Sequence, residues 1–141
     1  MQQFSVVLHE MRKWFESFGW YQLLRQFEMH LLFGGLGILV FRKLLYLLLP
    51  FGAYDTLQLI FFTIPLSAIA YHAFLIGAWM TLVSLKNFKY LPYAFWGYAA
   101  YILFPFTSIS LSSLISAGVY AFLGYAVFKY SASSYAAVER A

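Results

Sequence analysis

Along this chain, uncharged runs alternate with short clusters of charge, and the lengths of the runs set the expected architecture. Positions 29–41, 44–54, 56–85 and 90–128 contain no Asp, Glu, Lys or Arg. A helix needs about 20 predominantly apolar residues to cross the hydrocarbon core of a bilayer. Residues 1–18 differ. Phe4, Val7, Leu8, Met11, Phe15 and Phe18 recur at helical spacing on one face, with Gln3, Glu10, Arg12, Lys13, Glu16 and Ser17 on the others. This pattern predicts an amphipathic helix that is too polar to span. It is expected to lie in the membrane interface or against a partner and to end at Gly19.

The segment from Trp20 to Phe51 holds a first span at about 29–50, with Arg42 and Lys43 near its middle. A charge at that depth costs about 2.5–3.5 kcal/mol on insertion scales. Two readings follow: a short or re-entrant helix that surfaces at Arg42, or a full span that carries the pair inside a protein assembly. Pro50 and Gly52 break the helix. The run 56–85 predicts the clearest span, about 45 Å long if helical throughout and therefore tilted or protruding. Pro65 invites a kink in it. The run 90–128 is too long for one crossing. Pro105 and the polar residues Thr107 to Ser113 divide it into spans at about 91–106 and 111–129, closed by Lys129. The tail 131–141 is small and polar and is expected to be loosely held.

Composition removes several function classes. The 141 residues are 63% apolar and 10% charged, whereas a soluble domain carries about 25% charge. So few charges cannot cover a water-facing surface. A soluble enzyme, a nucleic-acid binder and a disordered tail are excluded on that ground. The fold class expected is an all-α integral membrane protein of about four transmembrane helices, preceded by the N-terminal amphipathic helix and forming a single membrane domain. Without Cys, disulfides, thiolate metal sites and Cys nucleophiles are excluded. The acids Glu10, Glu16 and Glu28 argue against a transit peptide, and the chain is expected to be mature from Met1.

Charge also sets the expected orientation. With four spans, Arg12, Lys13, Arg25, Lys86, Lys89, Lys129 and Arg140 share one side, opposite Asp55 and the serine-rich turn. The positive-inside rule then places both termini in the cytoplasm, or in the matrix or stroma of an organelle. Arg42 and Lys43 alone disagree.

Few residues are candidates for chemistry. Arg42 and Lys43, with Tyr71, are candidates for an anionic lipid headgroup, a quinone carbonyl or an acid on a partner; the alternative is that both cations snorkel to the surface. His72 is a candidate haem or quinone ligand, against an ordinary polar contact between helices. A second haem ligand would have to come from a partner, because His9 and His30 are expected at other depths. Asp55 is expected to be a helix N-cap. Gly34, Gly35, Gly37, Ala73, Gly77, Ala117 and Ala121 form small-residue patches suited to close helix packing. Tyr98, Tyr101, Tyr120 and Tyr125 lie deep, where each hydroxyl needs a partner, and favour contact with protein, pigment or lipid. The sequence presents no carboxylate pair, metal-ligand cluster or Ser-His-Asp set at a usable depth, so neither catalysis nor a metal site is expected.

The expected function is that of a non-catalytic accessory subunit of a larger membrane complex, in contact with membrane lipids and with other membrane subunits, and not with nucleic acid. No cofactor is required by this reading. A haem- or quinone-binding electron-transfer anchor using His72 is the alternative. A small oligomeric transporter or lipid-handling protein using Arg42 and Lys43 is the second.

Overall fold

The structure, a computed structural model, describes residues 2–84 and 86–133. These residues are all-helical, with no strand among them: α1 Gln2–Glu16, α2 Gly19–Arg25, α3 Glu28–Leu48, α4 Phe51–Thr63, α5 Leu66–Val83, a 3₁₀ turn Phe88–Tyr90, α6 Leu91–Leu103 and α7 Leu111–Ser131. Three of them, α3, α5 and α7, are long and apolar enough to cross a membrane. The polar tail expected from 131 lies outside the described residues beyond Ser133, as does Arg140.

Two antiparallel helix pairs make the body. In the first, Gly35 of α3 meets the backbone of Ala70 and Phe74 on α5, and Gly77 meets that of Leu31 and Leu32 on α3. A methyl group at either glycine would come within 2.6 Å or less of backbone atoms, so the two helices approach as closely as their main chains allow. The second pair brings Gly124 of α7 against Trp96 and the Pro92 carbonyl of α6. The Trp96 indole donates to the Ala121 carbonyl at 3.2 Å. Ser110 caps α7, its hydroxyl accepting from the Ser113 amide at 3.1 Å, which satisfies one of the free donors at a helix start.

The pairs join along a looser seam between α3 and α6. Leu36 reaches Gly97 across it, and the Phe74 ring stacks on Tyr98 at 4.8 Å between centroids. Tyr98 is the hub of this core. Tyr120 lies 4.5 Å away, Tyr101 5.5 Å and Tyr71 6.2 Å. Three of the four tyrosines expected to seek outside partners therefore pack around one another, because α6 and α7 bring them to one level. Tyr125 is exposed.

Several boundaries differ from the sequence expectations. The run 56–85 is two helices, since Ile64 is extended at φ −107°, ψ 113°. Pro65 supplies no donor and pushes the residue before it out of the helical region, which turns an expected kink into a break. Asp55 is no N-cap. Helix α4 begins at Phe51, directly after the extended Pro50, and so Asp55 falls in its second turn, exposed. Gly19 starts α2 instead of ending α1, the chain turning at Ser17 and an extended Phe18. The span expected at 91–106 shortens to Leu91–Leu103, and the break at Pro105 holds Phe106 at φ 69°.

Small residues divide by position. Gly35 and Gly77 sit at the α3–α5 contact, and Ala117 is buried. Gly34 and Gly37 face open space, Ala73 is half-buried and Ala121 is exposed. The contrast gives a test. Gly77→Ala, with backbone in its way, is expected to lower stability by about 1–3 kcal/mol in a detergent-unfolding titration. Gly37→Ala is expected to be neutral, or to stabilise by up to about 1 kcal/mol through helix propensity. Equal effects at the two sites would contradict the close contact.

Candidate functional site

Polar side chains gather in two layers, one at each end of the α3–α5 pair. The first layer surrounds Glu28 in the opening turn of α3. Glu28 is almost wholly buried, at 1% exposure. Its Oε1 accepts from the Ser84 hydroxyl at 3.0 Å and from the Asn87 side-chain amide. Both donors lie between α5 and α6, so one carboxylate oxygen holds the reversal between the two helix pairs. Placement at a helix N-terminus favours the anion. Oε2 is buried without a hydrogen-bond partner among the described residues.

Arg12 belongs to the same layer. The sequence pattern places it on the polar, outward face of α1, yet it is 5% exposed. Its Nε donates to the Val83 carbonyl at 2.6 Å, one of the last carbonyls of α5, where a cation complements the helix dipole. With Leu8 buried nearby and the Phe4 ring 5.0 Å from Tyr130, this bond lays α1 across one end of the bundle, beside the end of α7. The price of the arrangement is that Val7 and Trp14, counted among the apolar-face positions or their neighbours, stay exposed. Tyr21 of α2 completes the layer. Burial, and then the Glu28 carboxylate, push its hydroxyl above the ordinary value of 10.0. Arg12 and Glu28 were identifiable in the sequence as charges but not as buried groups.

The second layer is the Arg42–Lys43 pair. It lies about 21 Å along α3 from Glu28 at 1.5 Å per residue. Arg42 donates to the Ser67 hydroxyl in the first turn of α5. Lys43, about 100° around the helix, turns to α6, where its Nζ donates to the Tyr101 and Phe104 carbonyls, the latter at 2.9 Å. The ammonium also stands 4.1 Å from the centre of the Tyr101 ring. The pair is thus level with the start of α5 and the end of α6, not halfway along the bundle. Both side chains are half-buried, and Lys43 acts as a C-cap for α6. Beyond them, Leu44 to Leu48 and α4 extend as a loosely packed apolar arm, where Tyr46 touches Tyr54 at 4.8 Å.

The remaining candidates are scattered. His72 is exposed on the outer face of α5, and its Nδ1–H donates to the Ala68 carbonyl at 2.7 Å, which leaves Nε2 outside that bond. Tyr71 points instead toward the tyrosine core, one turn from Ser67. His9 and His30 are exposed on α1 and α3, and no group of three or more His, Asp or Glu among the described residues is arranged to hold a metal ion. The structure brings Arg42 and Lys43 together with Ser67 and Tyr101, but not with His72.

Two outcomes are expected at the first layer. Arg12→Leu removes the donor to Val83 and is expected to speed amide exchange along α1, while the α3–α5 core keeps its protection. The second concerns pH. The folded state keeps the Tyr21 proton to higher pH than the unfolded chain, so stability is full below about pH 10 and falls as the pH rises from there through the folded value. Tyr21→Phe is expected to flatten that alkaline loss, measured as unfolding midpoint against pH; an unchanged slope would contradict it.

Comparison of the chain with protein-family models, with curated proteins and with solved structures finds no match.

Proposed function

We propose that the chain is a multi-pass membrane protein with four crossings and both termini on the cytoplasmic (or matrix or stromal) side, serving as a non-catalytic accessory subunit that packs against partner subunits of a larger membrane complex. Three lines support the membrane reading. The outer faces of α3, α5 and α7 are apolar, with Ile69, Ile76, Val119 and Phe122 all at least half exposed. Helix α6, at 13 residues, is shorter than a full crossing, but it packs antiparallel against α7, so the chain from Lys89 to Ser110 runs back along α7. Lys13, Lys86, Lys89 and Lys129 gather at the end occupied by α1 and the close of α7, and basic residues favour the inner side.

The observation that carries the accessory role is how the chain spends its polar groups. Arg12, Arg42, Lys43 and Glu28 each bond to a helix end or to a neighbouring hydroxyl or amide within the fold. They tie helices together instead of converging on one reactive point. Meanwhile Gly34 and Gly37 leave a flat, open strip on the outside of α3, and small residues let another membrane helix approach closely. A second reading, a haem-ligating anchor, has one observation in its favour. His72 donates Nδ1–H to a carbonyl and turns Nε2 outward, which is the arrangement of a metal-ligating imidazole.

Gentle extraction from the membrane of origin separates these readings. The expected result is a heteromeric complex several times the 16.3 kDa of the chain, without visible absorbance. A Soret band that is lost in His72→Ala would replace the first reading with the second, and a small homo-oligomer without partners would overturn the subunit role. Because the chain has no native Cys, single substitutions report topology. Lys89→Cys and Ser108→Cys are expected to label from opposite sides of sealed vesicles; labelling from one side would remove the α6–α7 crossings.

A further inference from the structure

Above Leu36 the seam between α3 and α6 opens. Val40, Lys43 and Leu44 share one face of α3, since positions three and four apart are helix neighbours. Opposite them, α6 presents Gly97 and Ala100, which fill little space. The result is a cavity of about 290 Å³ lined by Val40, Leu44, Gly97, Ala100, Phe104 and Phe106, with Tyr101 as its remaining wall. Its walls are almost wholly apolar, and its volume is close to the lower end of ligand-sized cavities, about 300 Å³. The Lys43 ammonium borders it, held on the carbonyls of the lining residues Tyr101 and Phe104. Arg42 stands on the neighbouring face of α3.

We propose that this cavity and the Arg42–Lys43 pair form a binding site for one anionic phospholipid, an acyl chain entering the cavity and the headgroup phosphate resting on the two cations. The charge is complementary. Of the two positive charges, only Lys43 faces a helix C-terminus, worth about half a negative charge, while Arg42 bonds to Ser67 at the start of α5, and the chain's nearest acid in sequence, Asp55, is exposed on α4. Donors remain available as well. A guanidinium has five N–H groups and an ammonium three. Arg42 uses one N–H on Ser67 and Lys43 two on carbonyls, leaving most of the Arg42 fork without a partner among the described residues. The depth fits, because the pair lies where α5 begins and α6 ends, the level at which a headgroup meets a bundle that spans a bilayer. Tyr101 ties the two halves together, its carbonyl and ring holding Lys43 and its side chain walling the cavity. The proposal rests on the membrane reading above and adds a ligand class to it.

The test uses the full chain purified in mild non-ionic detergent, with phosphatidylglycerol or phosphatidylcholine of matched acyl chains added and bound lipid counted by native mass spectrometry. The expected result is about one retained phosphatidylglycerol per chain, with phosphatidylcholine weaker by about tenfold, because its choline cation offsets the phosphate charge and is repelled by the two side-chain cations. Arg42→Gln is expected to weaken phosphatidylglycerol by a similar factor. Ala100→Phe, which fills the cavity and leaves both cations in place, is expected to abolish phosphatidylglycerol retention and covers the case in which Arg42→Gln fails to fold. Millimolar inorganic phosphate is expected not to displace the lipid. Equal retention of the two lipids, full phosphatidylglycerol binding by Ala100→Phe, or displacement by phosphate would each overturn the site. Failure of the membrane reading is distinguishable, since the protein would then leave its membrane in an alkaline carbonate wash.

Discussion

The rest of the fold depends on the main-chain contact between α3 and α5. In a bilayer there is no hydrophobic drive to bring two apolar helices together, because lipid tails are as apolar as leucine. On the proposed membrane reading, association rests on close packing, which two glycines placed on facing surfaces make possible here. Gly35 admits the backbone around Ala70 and Phe74, and Gly77 admits that around Leu31 and Leu32. Once that contact is set, the register of α3 against α5 and its flanks follows. Glu28 falls opposite Ser84, and Arg42 falls opposite Ser67.

That register explains the polar end layers. Arg12, Glu28, Arg42 and Lys43 each meet either a helix terminus or a short polar side chain, so that the cost of holding them out of water is offset by hydrogen bonds and by the helix dipoles. Glu28 binds the reversal between the two pairs, Arg12 fastens the amphipathic helix, and Lys43 closes α6. Between the layers the interior is aromatic. Tyr98 and its neighbours bury large rings, and the hydroxyls gather where each is among polar atoms of its own kind instead of facing hydrocarbon.

The exterior and the seam are what remain for function. The exposed surface of α3, α5 and α7 is largely apolar, and Gly34 and Gly37 face open space on α3. The α3–α6 seam is the exception. There, two small residues facing a helix that carries two cations leave an apolar space with a charged rim, and this combination has the shape of an amphiphile.

The sequence by itself determined the all-helical character and much of the layout. Long runs free of charge at helical lengths favour apolar helices, and Pro105 with the serines after it marks a reversal regardless of what packs nearby, because proline geometry and capping are local. It also showed which residues were unusual, Arg42, Lys43 and His72 among them. Only the tertiary structure decided what those residues touch. Gly35 and Gly37 look alike in sequence, yet one meets backbone and the other nothing. Arg12 belongs to a polar stripe by periodicity and is nonetheless buried, because the carbonyl that it needs is 71 positions away at the end of α5. Asp55 has the composition of a cap, but Pro50 starts the helix earlier. Local rules fix where helices begin and break, whereas burial and hydrogen-bond partners depend on which distant helix arrives at which register, and that is set by packing across the whole chain.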